Sequence, residues 1–234
     1  MTGTIAAVTE LFRSRDVLVR TVLPPAWKDR HSAAIVVSFD CYSDRRTLYR
    51  CGFAEQFLES RGVRAIHVIT RENDWYQHPE MGAALAAVRP LTERATRVLT
   101  YGSSMGAYAA IRFADEVGAT SVLALSPQYS IDPAKMPHET RWSHDARRIR
   151  FLPEIDGTIR SRVVPVVALD PSGIDLRHAH RIAADIPIET IMLRGAGHPV
   201  GTCLSELGLL EPLVLDALAG NLDPDAIERR FRLA

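Results

Sequence analysis

The chain lacks most of the marks of secretion, membrane insertion and nucleic-acid binding. Three cysteines in 234 residues, Cys41, Cys51 and Cys203, form neither a CxxC pair nor an even framework, so no disulfide staple and no zinc site is expected. Scattered thiols of this kind fit a reducing compartment, and the expected location is the cytoplasm. No run of ~18 apolar residues occurs, which excludes a helical membrane span. Met1 to Arg15 lacks the basic start and apolar core of a secretory signal. Charge of one sign is missing too: 28 Lys plus Arg balance 28 Asp plus Glu, which argues against a nucleic-acid partner. Lysine is nearly absent, Lys28 and Lys135 standing beside a large arginine majority. A coding bias accounts for that excess without invoking the bidentate pairing arginine offers. A GxxxxGK[ST] phosphate loop does not occur.

What remains is an ordinary globular composition, 47% hydrophobic and 24% charged, with enough apolar material for a sizeable core. Short runs rich in Val, Ile and Leu recur at Ala33–Phe39, Val63–Ile69, Arg97–Tyr101, Ser121–Leu125, Val163–Leu169 and Ile188–Leu193. They show little polar alternation, as strands buried on both faces do. Between them lie helix-like stretches at Thr47–Ser60, Pro79–Arg94, Met105–Val117 and Arg177–Asp185, and Leu204–Ala219 closes the series. Alternating β and α units at this spacing predict an α/β fold with a parallel sheet covered on both faces. Asp16–Leu23 adds one or two antiparallel strands at the edge, ended by Pro24 and Pro25. One interval breaks the rhythm. Gln128 to Arg162 contains Pro133, Pro137 and Pro153, which oppose continuous helix and suggest a lid or specificity segment.

The chemistry-bearing signal is Gly102-Ser103-Ser104-Met105-Gly106. A GxSxG string is weak alone, but this one follows a buried strand and opens a helix, the setting of a nucleophile elbow. A helix N-cap at Ser103 or Ser104 is the plainer alternative. A serine needs a base, and His198 follows the last strand in a glycine-rich loop, Arg194-Gly-Ala-Gly-His198. Gly195 and Gly197 nearly mimic a dinucleotide fingerprint, but Gly201 falls one position late and at the wrong end of the chain. The base needs a carboxylate to hold its tautomer. Asp170, directly after a strand, is the first choice. Asp175 is the alternative, although it also reads as a helix N-cap, and Asp132 is third. Two apart on a helix, His178 and His180 point to different faces and make a poor metal pair; no metal site is expected.

With Ser104, then Asp170 or Asp175, then His198 over alternating β and α units, the chain resembles the α/β-hydrolase superfamily over about residues 33 to 219. The resemblance implies a three-layer sandwich, a mostly parallel sheet of about 6–8 strands with helices on both faces. It further implies one domain over 1–234, a short lid at 128–162 and no large cap domain. By this resemblance Ser104 attacks a small-molecule carboxylic ester or thioester, His198 is the base, and an acyl-enzyme forms without metal or organic cofactor. One oxyanion donor is the Met105 N–H; the second lies at Phe39 or Asp40, in a turn that lacks the HG pattern usual there. Trp75, Tyr76, Gln128 and Tyr129 sit on loops at the same sheet edge and are candidates for substrate binding. An acyltransferase on the same site and a non-catalytic binding module are the alternatives. The apolar Leu204–Ala219 helix leaves a homo-oligomer open.

Overall fold

The computed structural model describes residues 7–24 and 34–234. Eight strands form one sheet: β1 (Ala7–Arg13), β2 (Val17–Leu23), β3 (Ala34–Phe39), β4 (Ala65–Thr70), β5 (Arg97–Ser103), β6 (Ser121–Leu125), β7 (Val166–Leu169) and β8 (Glu189–Met192). Their spatial order is β1-β2-β4-β3-β5-β6-β7-β8. The β1–β2 and β2–β4 pairs are antiparallel, and all pairs from β4 onward are parallel. Ala33 and Pro25, at the limits of two expected segments, lie outside the described residues. β1, which the apolar pattern does not single out, is mostly exposed; an edge strand has one neighbour and needs little apolar content.

The central strands are largely apolar because both faces are covered, with Ser38, His67 and Thr100 as buried polar exceptions. Along β3, Ile35 and Val37 join a cluster with Met105, Tyr108 and Phe113, whereas Val36 joins Leu58, Leu204 and Leu213 on the other face. The first face carries α2 (Met81–Ala86) and α4 (Met105–Arg112), with α7 (Asp175–Asp185) over the β6–β7 end, and α3 (Arg89–Thr92) follows α2 closely. The second carries α1 (Glu55–Ser60), α8 (Val200–Glu206), α9 (Leu210–Ala219) and α10 (Pro224–Leu233). The expected Thr47–Ser60 helix is shortened to α1. The Arg50 guanidinium is turned inward to the carbonyls of Arg45, Thr47 and Thr70 and to Asp40, which draws the chain before Gly52 out of helix. Pro90 starts α3 and divides the expected Pro79–Arg94 helix, and Gly208, at φ 66°, divides Leu204–Ala219. Among the described residues no helix is long and apolar enough to cross a membrane.

The 128–162 stretch carries two short helices, α5 (Ser143–Ala146) and α6 (Pro153–Asp156), and is fastened to the sheet edge by polar contacts. Asp156 is 1% exposed and accepts from Ser130 Oγ at 2.9 Å, Tyr108 Oη at 3.1 Å and Lys135 Nζ at 2.6 Å. Arg112 Nη2 lies 3.9 Å from the same carboxylate, and Arg112 donates to the carbonyls of Tyr129, Ile155 and Gly157. A buried carboxylate with two cations and two hydroxyls meets the condition under which buried charge is tolerated. Asp156→Ala, which leaves Arg112 and Lys135 without their counter-charge, is expected to cost about 3–5 kcal/mol, read as a lower urea midpoint.

Candidate active site

β5 enters a sharp turn at Ser104, whose φ of 52° and ψ of −116° lie outside the regions a serine ordinarily occupies. Such a conformation costs about 1–3 kcal/mol, offset here by close packing around it. A Cβ on Gly102 would collide with the Gly106 carbonyl, and one on Gly106 with the Phe39 carbonyl. Strand, helix and neighbouring strand therefore approach as closely as backbone allows. Ser104 N–H donates to Leu125 O at 2.8 Å, tying the turn to β6. The hydroxyl is thereby held at the carboxyl end of the sheet, in front of the α4 N-terminus.

Ser104 Oγ lies 3.0 Å from His198 Nε2, and His198 Nδ1 lies 2.7 Å from Asp175 Oδ2. The carboxylate on the histidine is thus Asp175, the first residue of α7, and not the preferred Asp170. Asp170 follows β7 directly, but its oxygens accept the N–H groups of Ser172 at 2.8 Å, Gly195 at 3.1 Å and Gly197 at 2.9 Å. Partial burial works against ionisation, yet the N–H groups of Ser172, Gly197 and Gly195 hold the Asp170 carboxyl below its ordinary range. Asp170 thus holds the loop that carries His198. Asp132 caps its own turn through Ala134 N–H and does not touch His198.

Arg141 enters from the 128–162 stretch, a contact that no motif or spacing announces. Its Nη1 is 2.9 Å from Asp175 Oδ1, and its Nη2 is 2.6 Å from Glu139 Oε2. Glu139 Oε2 in turn accepts from His178 Nε2 at 2.8 Å, while His178 Nδ1 accepts the Tyr129 N–H at 3.0 Å. Burial opposes ionisation of Glu139, but hydrogen bonds from His178 and Arg141 and the Arg141 charge bring its carboxyl down to about 2.

The two expected second oxyanion donors are placed elsewhere. Asp40 N–H donates to Val68 O at 3.2 Å, continuing the β3–β4 ladder. N–H groups alternate sides along a parallel strand; Val36 and Asp40 face β4, so Phe39 faces β5, opposite Gly102. The Asp40 carboxylate carries Arg50 at 2.8 Å and the Phe53 N–H at 2.8 Å, and burial pushes it up to about 6 against those contacts. The next residue, Cys41, lines the cavity with Ser104. Burial, with Asp40 beside it, raises the Cys41 thiol and keeps it protonated. Met105 heads α4, so its N–H is among those a helix leaves without an intrahelical acceptor.

The cavity over Ser104 measures about 500 Å³ and is lined by Cys41, Tyr42, Phe53, Tyr101, Leu125 and Trp142 around Ser104 and His198. Among the described residues no carboxylate, ammonium or guanidinium lines it. Trp142 packs 4.8 Å from Tyr42 and 6.1 Å from His198, ring centre to ring centre. Of the four candidate substrate contacts, Gln128 reaches the nucleophile, its Nε2 standing 3.1 Å from Ser104 Oγ. Trp75 lies behind Gln128 and donates to it. None of the four lines the cavity itself: Tyr76 Oη donates to Asp40 O at 2.8 Å, and Tyr129 has the Arg112 and Arg181 guanidiniums close to its ring. One grouping of metal-type donors occurs among the described residues, Asp16, His78 and Glu80. Its members already pair with Arg71, Asp74 and Ser14, and none lines this cavity.

No protein-family model matches the sequence, and no curated protein does. Solved structures do match. An esterase from the planctomycete Thermogutta terrifontis superposes with a TM-score of 0.60 at 14% identity, covering 94% of each chain. A putative thioesterase from Silicibacter sp. TM1040 reaches 0.61 at 10% identity, over 92% of this chain and 85% of that one. An acetyl xylan esterase from Paenibacillus sp. R4 reaches 0.56 at 14% identity over 88% of each.

Three outcomes follow from the carboxylates. For a serine nucleophile with His198 as its base, Asp175→Asn would lower kcat on a p-nitrophenyl ester by about 10⁴-fold, because it disrupts the tautomer of His198, and it would also weaken the contact with Arg141. Asp170→Asn instead sets an amide against backbone donors and is expected to cost about 1–3 kcal/mol of stability, with a far smaller loss of rate. For Glu139, the folded state favours the anion. Its stabilising contribution is full above the ordinary carboxylate value of 4.5 and is lost as pH falls toward about 2. Unfolding free energies measured across that window should fall steeply for the wild type and less steeply for Glu139→Gln.

Proposed function

The chain has the α/β-hydrolase fold, and on that scaffold we propose a serine hydrolase that cleaves an uncharged carboxylic ester or thioester through an acyl-enzyme. The observation that carries this reading is the line from Ser104 Oγ through His198 to Asp175, at 3.0 and 2.7 Å, opening into an apolar cavity. Structural neighbours described as an esterase, a putative thioesterase and an acetyl xylan esterase support the ester or thioester class.

Ser104 Oγ adds to the substrate carbonyl while its proton passes to His198 Nε2. The carbonyl oxygen becomes an oxyanion facing the Met105 N–H and, one residue beyond the expected turn position, the Cys41 N–H. Asp175 holds the Nδ1–H and stabilises the imidazolium. Collapse of the intermediate breaks the bond to the leaving alkoxide or thiolate, which takes the proton from His198 Nε2. Water then adds to the acyl-enzyme with His198 as base, and collapse releases the carboxylic acid and restores Ser104. The 128–162 stretch serves as a fixed wall of the cavity, since buried ion pairs at Asp156 and Glu139 fasten it.

Intact-mass labelling with a fluorophosphonate tests the reading. The expected result is one adduct on the wild type, none on Ser104→Ala and much slower labelling of His198→Ala. An unlabelled wild type, under conditions that label a control esterase, would sink it. The uncharged lining predicts that kcat/KM for p-nitrophenyl esters rises about fourfold per added methylene until the cavity is filled. An acyl chain ending in a carboxylate should be a poor substrate.

A further inference from the structure

The proposed mechanism leaves one polar contact of the nucleophile unused. We propose that the Gln128 side-chain amide is a catalytic donor, bonded to Ser104 Oγ in the free enzyme and to the oxyanion once the carbonyl has added, with Trp75 fixing which way the amide points. This role rests on the serine-hydrolase reading above and extends it.

Gln128 follows β6 and is 1% exposed, with Nε2 3.1 Å from Ser104 Oγ and Oε1 3.3 Å from Trp75 Nε1. An amide can be turned end for end, but here the chemistry of its neighbours selects one orientation. An indole N–H can donate and cannot accept, so the face toward Trp75 must be the amide oxygen. The NH₂ group is then the one directed at Ser104. From the other side, Asp175 accepts from His198 Nδ1–H, leaving Nε2 as the acceptor for the serine hydroxyl proton. The Oγ lone pairs stay available, and Gln128 is the donor placed to meet them.

Trp75 is built to hold this position. It and Tyr76 adopt φ of 51° and 61°, two successive left-handed residues that are not glycine, at a cost of about 1–3 kcal/mol each. The loop is held by Tyr76 N–H to Asp74 Oδ1 at 3.1 Å, Gln77 Nε2 to Trp75 O at 3.0 Å and Tyr76 Oη to Asp40 O at 2.8 Å. The Trp75 ring is 1% exposed and packs 5.6 Å from Trp142 and 6.3 Å from Tyr42. The indole thus cannot swing away from Gln128. When Ser104 Oγ bonds to the carbonyl carbon, the oxyanion forms on that same carbon. An amide carrying two N–H groups beside Oγ can keep one bond and offer the other to the new charge. A donor fixed before the charge develops is the kind that needs no reorganisation at the moment of reaction.

The test compares the wild type with Gln128→Met and Gln128→Glu, which keep length but remove the donor, and with Trp75→Phe, which keeps an aromatic ring but removes the indole N–H. Each is assayed by fluorophosphonate labelling rate, by kcat and KM on p-nitrophenyl butyrate, and by Tm. Loss of one oxyanion donor should lower kcat by about 10²–10³-fold with KM little changed, and labelling should slow in step. Trp75→Phe, acting through Gln128, should lower kcat with the same unchanged KM but by about tenfold. A folded Gln128→Met or Gln128→Glu that labels and turns over within about twofold of the wild type overturns the role. So does a loss that appears in KM or Tm alone. A wild type that takes no label overturns the serine-hydrolase reading itself, which is a separate result.

Discussion

The site depends first on how closely β5 and α4 can approach. Gly102 faces the Gly106 carbonyl and Gly106 faces the Phe39 carbonyl with no room for a methyl group at either position. That contact lets the chain reverse within a residue or two, and the reversal throws Ser104 into its strained conformation. A looser turn would relax the serine and drop its hydroxyl into the sheet edge. It would also move the Met105 N–H away from where an oxyanion would form. The α4 helix is buried along its whole length, so the core behind the elbow offers no way for the turn to relax. Packing energy spread over the domain thereby supports backbone strain concentrated at one residue.

A second constraint runs through Asp175. Its two oxygens serve different masters, Oδ2 holding His198 and Oδ1 meeting Arg141. Arg141 and Glu139 belong to the segment that walls the cavity, and Glu139 continues to His178 on α7. The wall and the histidine are therefore registered against the same carboxylate. A displacement of the wall would change the charge seen by Asp175, so cavity shape and base geometry are not independent variables in this protein. Asp170 performs the complementary task from below, gathering the Gly195 and Gly197 N–H groups so that the His198 loop has a defined height.

How much of this was legible in the sequence follows from what kind of force sets each feature. The parallel core was legible, because strands buried on both faces are largely apolar, and β3 to β8 each fall on an apolar run. The elbow and His198 were legible because small residues and a late histidine are local signatures. β1 and α10 were not, since an exposed edge strand and a surface helix carry weak apolar patterns. The choice between Asp170 and Asp175 was decided by tertiary hydrogen bonding: backbone donors 25 and 27 residues downstream claim Asp170. That the β3–β4 ladder continues through Asp40 was not legible, because the residue at which a strand stops pairing depends on its neighbour. Arg141 was invisible, as one arginine among many in a stretch without periodicity. Gln128 was visible as a loop residue at the active edge, whereas its contact with the serine was not.

The hydrogen-bonded line through the site has a direction, and its two ends set it. At one end Asp175, as a carboxylate, can accept and not donate; at the other the Trp75 indole can donate and not accept. Between them stand an imidazole, a hydroxyl and an amide, each able to be written two ways in isolation. With both ends determined, one consistent arrangement remains: Nδ1–H to Asp175, Oγ–H to Nε2, the Gln128 amide to Oγ, and the indole to Oε1. That arrangement presents the serine proton to His198 Nε2 and a donor to the serine oxygen at the same time. In the proposed mechanism nothing would have to rotate before the first proton transfer. Preorganisation here comes from terminating a chain of ambivalent groups with two groups that are not ambivalent.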